Sequence, residues 1–128
     1  MLILYIMNVK KIAATGLTML VLDGIFLSFF GPKFIEMVEN IQNAKVSVKY
    51  IPMIITYIVL VFQLYYFIIK QNKSLLDAFL LGFTTYAIFD LTNYTLMKNY
   101  KIEILLIDSV WGGILYALTT YIVSILNI

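Results

Sequence analysis

Apolar positions in this chain fall in long blocks instead of stripes. Four blocks, at about 12–30, 51–69, 75–97 and 102–125, are separated by short breaks that carry lysine. A soluble helix turns a polar face to water at every turn and a half-buried strand alternates. These blocks do neither over about 20 residues, the length that crosses a bilayer core. Each predicts one transmembrane helix. The first block stops at Gly31, Pro32 and Lys33, where glycine and proline together predict a helix end and the lysine can reach the headgroups. The second opens with Pro52 in its first turn, where the missing N–H costs nothing, and stops before Lys73. Ser74 and Asp77 predict a capping pair at the start of the third block, and Glu103 falls at the positive end of the fourth.

Between the first two blocks the period becomes helical. Phe34, Met37, Val38 and Ile41 share one face, with Lys33, Glu36, Glu39, Asn40 and Asn43 on the other. This predicts a short amphipathic helix lying at the interface, more readily a cover on the bundle end than a partner-binding element. Short connections make consecutive helices antiparallel neighbours. The expected architecture is therefore an all-α, multipass integral membrane protein: four transmembrane helices in an antiparallel bundle, with a short interfacial amphipathic helix after the first span. Residues 1–128 form a single membrane domain. The opening residues are apolar before they are basic, the reverse of a signal peptide, so no cleavage is expected. Residues 1–6 read as an upstream extension or a short interfacial segment.

Composition agrees with this pattern. Hydrophobic residues make up 62% of the chain and charged ones 12%, and the mean hydropathy is +0.96. The partner this implies is the lipid bilayer. A net charge of +2, carried by scattered lysines, excludes a nucleic-acid surface. Lysines lie on both sides of the membrane, Lys10, Lys11, Lys70 and Lys73 with the termini and the other five opposite, so their distribution gives no orientation. With neither cysteine nor histidine, thiolate chemistry and the usual base and zinc ligands are missing. No cofactor is expected and no enzyme activity either, since Ser109 has no evident base beyond Asp108 and no phosphate-binding loop exists.

Three spans each carry one aspartate away from their ends. Asp23 lies nine residues before Pro32, Asp90 eight before Lys98 and Asp108 seven after Lys101. At ~1.5 Å per residue all three sit roughly 10 to 14 Å below one boundary. Each costs about 2.5 to 3.5 kcal/mol in a span unless it faces inward and finds partners. No lysine is available at that depth, so two states are open: protonated carboxyls hydrogen-bonded together, or carboxylates closed around a cation. Asn93 and Trp111, each one turn along from an acid, can donate to the layer, and Tyr86 and Tyr116 are expected as supporting donors. Ser109, Gly113 and Ala117 predict a close-packing seam on the fourth span. Gln63 has no evident partner and reads as a dimer contact.

The segment from Tyr86 to Gly112 resembles the closing signature of the bacterial family called domain of unknown function 2177, small multipass membrane proteins. There a Y-x-x-x-D-L-T-N motif precedes D-x-x-W-G. Tyr86, Asp90, Leu91, Thr92 and Asn93 match the first motif, and Asp108, Trp111 and Gly112 the second. Leu22 to Leu27 is similar to a further L-D-x-x-W-L segment, with Phe26 where tryptophan is common. The resemblance supports four spans and places the same three acids in its motifs, and it implies no activity. The leading functional reading is a buried polar site of Asp23, Asp90, Asn93, Asp108 and Trp111 that binds or transports protons or a cation, its metal undefined. The alternative is a structural or assembly protein whose acids only hold the bundle together. A single four-helix bundle is thin for a permeation path, so transport would call for a homo-oligomer, by analogy with small dimeric multidrug transporters.

Overall fold

The computed structural model describes residues 2–128, with side chains from Asn8 onward. The extension or interfacial segment expected at residues 1–6 lies outside the described side chains. The helices are α1 (Leu2–Gln42), α2 (Tyr50–Leu64, continued by a π-helical turn over Tyr65–Ile69), α3 (Leu75–Leu96) and α4 (Ile102–Ile125). All four are long and apolar enough to cross a membrane.

Helix α1 corrects one expectation. It does not stop at Gly31 and Pro32, and no separate amphipathic helix follows it; the helix continues through Pro32 to Gln42. Proline removes a single backbone donor, whereas ending the helix there would leave several carbonyls and N–H groups to be satisfied at membrane depth. Tertiary contacts also hold the second half. Met37 is buried with Tyr100 and Leu105, flanked by Phe34, Ile41 and Ile104, and its Sδ accepts the Lys101 N–H at 3.2 Å beside the start of α4. The apolar face read from the pattern is thus real, but it packs on the α3–α4 connection as part of one helix. With 41 residues, α1 is about 60 Å long, twice the bilayer core.

Helix α4 is the centre of the bundle. It packs along most of α3 and across α1, while α2 packs on α1. Glycines set the α3–α4 distance: a Cβ on Gly82 would lie 2.1 Å from the Gly112 carbonyl oxygen, and one on Gly113 2.6 Å from the Phe79 ring. Backbone therefore touches backbone at this crossing, the arrangement by which helices gain dispersion contacts in lipid. Gly113 belongs to the expected seam; Gly82 and Gly112 make its tightest point. Consecutive helices α2 and α3 form no extensive packing. The bundle is open along that side.

Met19, Leu64, Tyr65, Ile68, Leu115 and Tyr116 form the core near the termini side, while Ile51, Ile54, Ile58 and Phe62 of α2 point outward as lipid-facing residues do. Threonines satisfy their hydroxyls locally: Thr15, Thr56, Thr84, Thr85, Thr95 and Thr120 each donate to the carbonyl four residues back. Ser74 accepts the Asp77 N–H at 3.0 Å, as the capping pair predicts. Helices leave through asparagine: Asn43, Asn72, Asn99 and Asn127 all adopt positive φ, the left-handed conformation for which asparagine is the best substitute for glycine.

Candidate functional site

Helix α1 presents Asp23 to its neighbours from both oxygens. The Trp111 indole N–H of α4 donates to Oδ1 at 2.9 Å, and the Tyr57 hydroxyl of α2 donates to Oδ2. Three helices meet on one carboxylate. Trp111 is held flat for this task by Phe26, whose ring stacks on it with centroids 4.5 Å apart and 2° between planes. Phe26, where the related motif commonly has tryptophan, therefore serves as a stacking partner and not as a donor.

Asp90 on α3 is fully buried. Its Oδ1 accepts the Tyr100 hydroxyl at 2.5 Å, from the connection between α3 and α4. Its Oδ2 has no protein donor. The carboxyl of Asp108, from α4, is its acidic neighbour, close enough for the two to interact electrostatically. Contact between two carboxyls is attractive only with a proton between them. Asp108 also feels Asp23, so the electrostatics of all three acids are joined through it. No group of three or more acidic side chains among the described residues is arranged to hold a metal ion. The layer resolves into two stations: an Asp90–Asp108 pair, and Asp23 with its own two donors.

Other expected members are placed differently. The Asn93 side chain neighbours the Tyr100 hydroxyl, one step removed from the acids. Burial, followed by the contact with Asp90, pushes the Tyr100 hydroxyl above the ordinary tyrosine range, so it remains a donor. Tyr116 does not support the acids: its hydroxyl donates to Gln63 Oε1, and Gln63 Nε2 donates to Thr85 at 3.0 Å. Gln63 is accordingly an internal bridge from α2 to α3 and α4, with the partners that its pattern did not reveal. Tyr86 packs edge-on to Tyr116 and against Gly112, near Asp23 and Asp108 but without a hydrogen bond to either. Pattern reading missed Tyr57 and Tyr100. Both occur in segments whose aromatic residues look like ordinary interface belt, and only packing brings their hydroxyls to the acids.

A cavity of about 460 Å³ adjoins the site, with Asp23, Asp108, Tyr57, Thr85 and Tyr86 at its polar end. Phe30, Phe34, Met53, Phe89 and Ile104 extend it toward the connections. All four helices contribute, among them α2 and α3, which pack little on each other.

Residues 8–125 match the family described as predicted membrane protein (DUF2177), and the chain belongs to it. No curated protein and no solved structure matches the chain.

Proposed function

We propose that this integral membrane protein holds an exchangeable proton between Asp90 and Asp108. The observation that carries the reading is the buried Asp90 Oδ2, which has no donor from the protein, on a side chain that neighbours Asp108. One donor, Tyr100, serves this pair, while Asp23 alone has two. Asp23 is thereby supplied with donors of its own, and the pair, left with one, is suited to share a proton. A proton fits better than a metal cation, because the acids divide into two stations and the nearest neutral donors are already engaged. Asp23, Trp111 and Asn93 are positioning residues around the pair.

The pH dependence of stability tests this. Ionising both members sets like charges against each other, at a cost of up to about 4 kcal/mol for 4 Å in a moderately polar interior. Stability of wild-type protein in detergent should therefore be full at a pH low enough for the unfolded chain to hold the proton too, fall as pH rises above that, and level off once the folded pair has lost its proton. Asp108→Asn, whose amide can donate to Asp90 directly, should flatten that decline. A wild-type profile without the decline would contradict the proposal.

The Asp23 station favours a second reading, a structural or assembly protein whose acids lock the helices. On that reading the Asp→Asn variants of all three positions lose folding together, and wild type shows no pH dependence.

A further inference from the structure

We propose that the cavity beside the acids is a binding site for a membrane-dissolved lipophilic amine, whose cationic nitrogen takes the place of the proton at Asp108. This rests on the proton reading given above and names the ligand class for the same site. Four features of the space point to it. Its volume of about 460 Å³ is that of a site for a drug-sized molecule. Its polarity is divided, with acids at one end and Phe30, Phe34, Met53 and Phe89 toward the other. From Asp23 to Phe34 the slot spans about 16 Å at ~1.5 Å per residue, enough for a hydrophobic body behind a polar head. Helices α2 and α3, which both line it, pack little on each other, and a gap between two membrane spans opens to lipid, so the ligand arrives from the bilayer.

Charge decides the head group. The titratable groups facing Asp108 are Asp23 from α1, Tyr57 from α2, Tyr86 and Asp90 from α3, and Tyr100 from the connection. None is cationic. Asp108 itself is only half-buried and lines the cavity, so its carboxyl is available to a donor entering there. An ammonium group supplies the missing positive charge, and as it pairs with Asp108 the shared proton leaves: one cation binds and one proton is released. A phospholipid amine fits less well, because its phosphate would enter beside the same carboxylates.

The test uses purified protein in lipid nanodiscs with a fluorescent aryl-alkyl tertiary amine and the alcohol of the same skeleton. The amine should bind about tenfold or more tightly than the alcohol. Its affinity should rise about tenfold per pH unit while the pair still holds its proton, with one proton released per amine bound. Asp108→Asn should reduce the amine to the level of the alcohol and leave the alcohol unchanged. Thr56→Trp, on the exposed wall of the slot, should weaken both probes and serves where Asp108→Asn fails to fold. Equal binding of amine and alcohol, amine preference that survives Asp108→Asn, or amine binding untouched by Thr56→Trp would overturn the site. Selective amine binding without proton release would overturn the shared proton alone. Absence of amine binding in a protein whose stability still shows the pH decline would overturn the ligand alone.

Discussion

Trp111 donates its indole N–H to Asp23 at 2.9 Å, joining α4 to α1 across most of the sequence. Trp111→Phe keeps the stacking surface for Phe26 but leaves a buried carboxylate oxygen without its donor. Removing such a partner costs about 1–2 kcal/mol, given the smaller net worth of interhelical hydrogen bonds in lipid. Denaturant titration of the purified variant in micelles should show that loss. Asp23→Asn should be milder, because its carbonyl can still accept from Trp111 while the Tyr57 hydroxyl turns to accept from the amide.

The glycines on α3 and α4 are predicted to differ sharply from Gly24. Gly82→Ala drives a methyl group into the Gly112 carbonyl at 2.1 Å, and backbone on both sides leaves nothing flexible to move. It should destabilise the protein by about 3 kcal/mol or more. Gly24 has open space around its Cβ position, so Gly24→Ala should stabilise by several tenths of a kcal/mol through helix propensity. Thermal unfolding of the two variants side by side measures the contrast.

Gln63 supplies a named link between α2 and the α3–α4 pair, through Thr85 and Tyr116. Gln63→Leu should leave α1, α3 and α4 assembled while increasing the separation of α2 from α3. Paired spin labels on the outer ends of α2 and α3 report this as a longer and broader distance distribution. An unchanged distribution would assign the positioning of α2 to its packing on α1 alone.

Asn72 takes a φ of 52° where α2 ends, and the Lys73 N–H returns to the Ile68 carbonyl at 3.0 Å while the Asn72 N–H reaches Ile69 at 3.2 Å. This is the Schellman arrangement that satisfies terminal carbonyls. Asn72→Gly should be neutral or slightly stabilising, and Asn72→Ala should cost about 1 kcal/mol, both measurable by thermal unfolding.

Depth counting from the nearest lysine or proline put Asp23, Asp90 and Asp108 forward as one layer, because a membrane helix advances by a fixed rise; in the structure Asp108 neighbours both of the others, although Pro32, one of the marks, lies inside α1 and not at its end. The same counting could not divide the layer in two. That division depends on which way each side chain turns, and on hydroxyls supplied by Tyr57 from an apolar span and by Tyr100 from a lysine-flanked connection, neither of which its local pattern aims at an acid. Proline misled at Pro32 for a related reason: its local cost is one hydrogen bond, and the contacts of Met37 with Tyr100 and Leu105 outweigh it. The gap between α2 and α3 was equally hidden, since a short connection places two helices close at one end without making them pack along their length.

Infrared spectroscopy of the carboxyl C=O stretch tests the shared proton most directly. Wild-type protein at neutral pH should show the band of a protonated aspartic acid, lost in Asp90→Asn and in Asp108→Asn and retained in Asp23→Asn. A wild-type spectrum without that band, or a band that survives both Asp90→Asn and Asp108→Asn, would contradict a proton held between these two residues.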